Sequence, residues 1–122
     1  MSDITETVDT YLSAWNEPDA GKRAPLIEKA WAADGLLQDP PLDGQGHVGI
    51  SAAADALHTH YSGHRFRRVS GVDTHHDMFR FGWELVGPDG TVAIAGIDVG
   101  QLAPDGRLQL ITGFFGDLPA AS

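Results

Sequence analysis

The sequence predicts an α+β domain with three N-terminal helices packed on one face of a curved antiparallel sheet. Three observations carry this expectation. Apolar residues up to Tyr61 recur at helical spacing, residues from Phe79 onward alternate apolar and polar, and one turn tripeptide occurs twice. That tripeptide, Pro88-Asp89-Gly90 and Pro104-Asp105-Gly106, brackets residues 91–102, which are rich in β-branched side chains and predict the central strand of a meander.

In chain order, Asp3 caps a first helix over residues 3–16, with Glu6 completing a capping-box-like pair. Ile4, Val8, Tyr11, Leu12 and Trp15 form its apolar stripe. A second helix follows with Pro25 in its first turn and Leu26, Ile27, Ala30 and Trp31 facing inward, until Asp34-Gly35 stops it. Leu36-Leu37-Gln38 predicts a short strand that runs into a rigid loop from Asp39 to Gly46, where Pro40 and Pro41 hold Asp39 in place. A third helix over residues 48–61 presents Ile50, Ala53, Ala54, Leu57 and Tyr61 on one side, and Gly63 ends it. Residues 65–72 predict a weaker strand, followed by a turn around His75-His76. Phe79, Phe81, Trp83 and Leu85 mark a half-buried strand, and residues 108–115 alternate as the last one.

The 122 residues suffice for a single domain, 1–122, with one core. A net charge of −9, from 17 acidic and 8 basic residues, disfavours nucleic acid and anionic membrane as partners. The sequence has no apolar run of spanning length and no basic segment leading into an apolar one, so a soluble, cytoplasmic protein is expected. Zero cysteines exclude disulfides, thiolate metal sites and a cysteine nucleophile.

Asp98 is a carboxylate within an apolar strand, so it must be paired, protonated or turned to a polar cavity. Burial among Ile94, Ala95, Ile97 and Val99 should raise its pKa, whereas a buried arginine partner would lower it. Tyr11 and Asp39 stand out beside it. Each also has a plainer reading, Tyr11 as a core aromatic and Asp39 as a turn residue ahead of the prolines. The histidines do not suggest a metal site. His58 and His60 point to different faces of a helix, Gly63 interrupts the His60–His64 spacing, and His75-His76 lies in a turn. His47 and His60 are within reach of a pocket mouth.

Helix, helix, a short strand ending in Asp39-Pro40, helix and a long meander resemble the nuclear transport factor 2-like superfamily, specifically its SnoaL-like branch. The resemblance implies the cone-shaped fold of that superfamily. In functional residues the match is to ketosteroid isomerase. Thr10-Tyr11-Leu12 corresponds to the segment whose tyrosine donates to an oxyanion, Gln38-Asp39-Pro40 to the segment carrying the general base, and Ile97-Asp98-Val99 to the one carrying a protonated aspartate. The chain is longer than that pattern around Lys22-Arg23-Ala24 and differs in the loop from Pro40 to Asp43.

The resemblance implies a cofactor-free, metal-free enzyme acting on a small apolar carbonyl compound by proton transfer. Trp15, Trp31, Phe81, Trp83 and Phe115 are candidate lining residues, although Trp83 could be plain core. The rivals are an epoxide hydrolase, which needs an arginine such as Arg68 or Arg80 in the pocket, a polyketide-cyclase-like enzyme, and a non-catalytic ligand-binding or dimerisation domain. Ile111 and Phe115 on one parity of the last strand, with Leu110 and Phe114 on the other, predict a homodimer through the open sheet face.

Overall fold

Asp3 opens the first helix, α1 (Ile4–Asn16), by accepting from the backbone N–H of Glu6 at 2.9 Å. The computed structural model describes residues 3–122. The predicted stripe is the buried one, with Val8, Tyr11, Leu12 and Trp15 all inside. At the far end, the Asn16 amide bonds both backbone groups of Phe66, which docks α1 onto the sheet.

The second helix, α2 (Ala20–Ala30), is capped by Asp19 and differs from expectation at both ends. It starts earlier, so Pro25 lies inside it and removes the bond its N–H would have made to Gly21. It also stops sooner. Trp31 is the first residue of the strand β1 (Trp31–Gln38), fully buried beneath the helices, and Leu26 is only partly buried. Trp31-Ala32-Ala33 carries no helix stop, but pairing with a distant strand captures its backbone, and an irregularity between Trp31 and Leu36 absorbs the intervening residues.

The loop after β1 contains a two-residue strand, β2 (Gly44–Gln45), which folds back on Leu36 and Leu37. The third helix, α3 (Gly46–His60), begins two residues before its predicted start. The weak strand expected over 65–72 is shorter, β3 (Arg65–Arg68), and a further short strand, β4 (Asp73–His75), precedes the turn at His76. The meander follows as β5 (Met78–Val86), β6 (Val92–Leu102) and β7 (Leu108–Phe115).

Among the described residues, three helices against a curved seven-stranded sheet make this an α+β fold, with strand order β2-β1-β7-β6-β5-β3 and β4 beside β5. The sheet is mixed rather than wholly antiparallel, because β1 runs parallel to β7. A parallel neighbour needs a long crossover, and here everything between residues 38 and 108 supplies it.

The cross-strand register explains how so many rings fit on the inner face. Phe79, Phe81 and Trp83 of β5 lie opposite Gly100, Asp98 and Gly96 of β6. A Cβ on Gly96 or Gly100 would collide with the ring opposite it. The sheet therefore sets large residues against small ones, and Asp98 lies between the two glycines.

Candidate active site

Asp98 occupies the middle of β6, flanked by Phe81 on β5 and Gly113 on β7, and is 3% exposed. Tyr11, rising from α1, has its Oη 2.8 Å from Oδ2 of Asp98. Trp83 donates from Nε1 to Oδ1 at 3.0 Å. Among the described residues, Tyr11 and Trp83 are the side chains bonded to this carboxyl, and no arginine pairs with it. Burial raises the Asp98 pKa to about 7, helped by the charge of Asp39 and opposed by the two hydrogen bonds.

Asp39 follows directly after β1. Its N–H donates to Asp43 Oδ1 at 2.8 Å, its carbonyl accepts from the Leu42 N–H, and the Pro40–Pro41 peptide beyond it is cis. The carboxyl is half-buried, and burial together with the negative charge of Asp43 raises its pKa to about 6. The Tyr11 hydroxyl is pushed up further, by burial first and then by Asp98 and Asp39.

These groups border two neighbouring spaces. The larger is an apolar cavity of about 510 Å³ between the Asp39–Leu42 loop, the end of α3 and the sheet. Phe66, Trp83, Leu85, Ile94 and Phe115 form its sheet wall. Behind it is a void of about 10 Å³, lined by Tyr11, Asp39 and Asp98 with Leu12, Trp15, Phe66 and Trp83. That volume holds roughly one oxygen-sized atom. Asp39, Phe66 and Trp83 border both spaces, so Asp39 stands between the apolar chamber and the small space that Tyr11 and Asp98 also line.

No family model and no curated protein sequence matches this chain. Solved structures do. A protein from Agrobacterium tumefaciens, named as a proposed isomerase of the SnoaL-like family, superposes with a TM-score of 0.86 at 37% identity over 92% of this chain and 96% of that one. The chain belongs to the SnoaL-like family. More distant structures share the fold alone. An NTF2-like protein from Exiguobacterium gives 0.72 at 15% identity, covering 92% of this chain and 99% of that one. A protein from Sinorhizobium meliloti, named as a proposed polyketide cyclase, gives 0.69 at 16%, covering 89% and 94%.

In this SnoaL-like chain Tyr11, Asp39 and Asp98 converge on one void. Trp15 borders that void, Phe115 lines the cavity, and Trp83 lines both. Trp31 and Phe81 line neither. Their rings stand edge-on to Tyr11, with centroids 5.8 and 6.3 Å away, and hold the phenol in place from behind. Arg68 and Arg80 are turned outward, paired with Asp9 and Asp73, so the arginine that epoxide opening requires is not supplied by either.

His60 borders the cavity. His47 lies elsewhere, its Nε2 on the Trp31 carbonyl, and His64 packs against Tyr61. Among the described residues, no group of three or more His, Asp or Glu side chains is placed to hold a metal ion. Gly113 is a site residue that sequence reasoning missed. A Cβ there would lie 2.7 Å from Asp39 Oδ1 and 3.1 Å from Asp98 Oδ1. The only signal for it was a glycine within the apolar alternation of the last strand.

Proposed function

We propose that this protein is a cofactor-independent enzyme that transfers a proton on a small apolar carbonyl compound. The observation that carries this reading is the pairing of an apolar chamber with a one-oxygen void ringed by Asp39, Asp98 and Tyr11. The substrate body fills the chamber and its carbonyl oxygen enters the void. Ionised Asp39, between the two spaces, takes a proton from the carbon next to the carbonyl. The negative charge that moves onto the oxygen is met by the Tyr11–Asp98 pair, both held protonated by burial. Asp39 then returns the proton to another carbon, giving isomerisation, or trades it with solvent and protonates the same carbon, giving exchange.

Two carboxyls of different burial divide the work, since a base must ionise where a donor must not. The same proton abstraction would also begin a polyketide-cyclase-type ring closure, so that reading shares Asp39 as base. The test is deuterium uptake at the α-carbon of apolar cyclic ketones in D2O, followed by NMR. The wild-type protein should catalyse uptake, and Asp39→Asn should lower the rate by roughly 10²–10⁴-fold. Equal rates in the two proteins would refute the assignment of Asp39 as base.

A further inference from the structure

Asp39 takes its position from its own loop rather than from the sheet. The ladder between β1 and β7 ends with Gln38 beside Thr112, so Asp39 is the first residue beyond it. Pro40 disfavours helical backbone at Asp39, and neither Pro40 nor Pro41 has an N–H to give. Both backbone groups of Asp39 are bonded within the loop instead. Its N–H donates to Asp43 Oδ1 at 2.8 Å, and its carbonyl accepts from the Leu42 N–H at 2.6 Å. The carboxyl then lies against Gly113, so close that a Cβ there would not fit.

We propose that Asp43 is a positioning residue for the base: by accepting the Asp39 N–H it holds the Asp39 carboxyl at the border of the chamber and the void, and by its charge it strengthens that carboxyl as a proton acceptor. This rests on the assignment of Asp39 as base and deepens it. A negative charge on Asp43 disfavours a second one beside it, so Asp39 holds a captured proton more tightly. Burial, the larger cause, works in the same direction, and together they bring the Asp39 pKa to about 6. From the other elements, Tyr11 of α1, Asp98 of β6 and His60 of α3 are the titratable groups that border the same spaces as Asp39. Asp43 itself is exposed and lines neither space, so it acts on the base without touching the substrate.

Two variants separate the bond from the charge. Asp43→Asn keeps an acceptor for the Asp39 N–H and removes the charge, whereas Asp43→Ala removes both. Hydrogen exchange at the Asp39 amide should stay slow in the wild type and in Asp43→Asn, and should speed up about tenfold in Asp43→Ala. Deuterium uptake by the cyclic ketones should fall about 10–100-fold in Asp43→Ala, as the base loses its place. In Asp43→Asn it should fall less than about threefold, as the base is only weakened. A fall as deep in Asp43→Asn as in Asp43→Ala, or no fall in either, would overturn the proposal.

The charge is read without a substrate. The carboxyl carbon of Asp39, followed by NMR in labelled protein, should titrate near pH 6 in the wild type and about half a unit lower in Asp43→Asn. Salt at about 1 M, which shortens the reach of an exposed charge to about 3 Å, should give the wild type much of the same shift and add little to Asp43→Asn. The acid limb of the pH–rate profile should move with the midpoint. If Asp43 only fastened the loop, Asp43→Ala would lose thermal stability while the Asp39 midpoint in Asp43→Asn stayed in place, and that result would overturn the proposal. An inactive wild type would sink the proposed function, while the titration and the amide exchange would still decide whether Asp43 acts on Asp39.

Discussion

Asp39 and Asp98 both keep their protons to higher pH than exposed aspartates, and the cause in each is burial first. Two consequences can be measured. Activity should rise as Asp39 ionises near pH 6 and fall as Asp98 loses its proton near pH 7, giving a narrow bell whose midpoints belong to the pair. Stability should follow a different curve. The folded protein binds more protons than the unfolded chain between the ordinary aspartate pKa of 3.8 and about 7. The stabilisation is therefore complete below 3.8 and is lost as pH rises through the folded values. Asp98→Asn, which keeps a donor and removes the titration, should leave the thermal midpoint at pH 8 equal or higher and flatten its decline from pH 5. A large drop at pH 8 would mean that the charged carboxylate holds the fold together. Tyr11, Asp39 and Asp98 were legible in the sequence because each is a polar group in a setting that makes polarity costly or fixed. The roles of Trp31 and Phe81 were not. Aromatic residues at buried positions look alike until it is known which ring stands in front of the others.

At the level of elements, the site depends on glycines that let strands and rings approach. Gly113→Ala should fold but push the Asp39 carboxyl aside, and a displacement near 1 Å at a reacting group can cost on the order of 100-fold in rate. Gly96→Ala would press on the Trp83 ring, so about 1–3 kcal/mol of stability should be lost in denaturant titration. Arg23 makes a similar point about helices. Fully buried on α2, it bonds the Glu17 carbonyl, Ser51 and Asp55, and so ties α2 to the end of α1 and to α3. Local chemistry made α1, β5 and β6 readable from the sequence, through a cap, an apolar stripe, strict alternation and flanking turns. The end of α2 was hidden because Trp31-Ala32-Ala33 suits a helix as well as a strand. The parallel β1–β7 pairing was hidden for another reason. It joins residues such as Leu37 and Ile111, which share no local pattern.

Across the whole molecule, the outer face of the sheet carries an apolar patch. Ile97 and Phe114 are register partners on β6 and β7, 49% and 62% exposed, and Val69, at 51%, lies over Gly82, the neighbour of Ile97 on β5. We propose that a second copy covers this face. Sedimentation at micromolar concentration should give a dimer, and the double variant Ile97→Asp/Phe114→Asp should give a folded monomer. A wild-type monomer would remove the proposal. The β1–β7 pairing also sets the order in which the molecule can come into being. A growing chain acquires Tyr11, Asp39 and Asp98 before β7 is made, yet the two-residue β2 is the one strand paired with β1 until Leu108 and the residues after it arrive. A chain released before that point would carry the three residues in full and possess no site. The site closes only once β7 lies between β1 and β6.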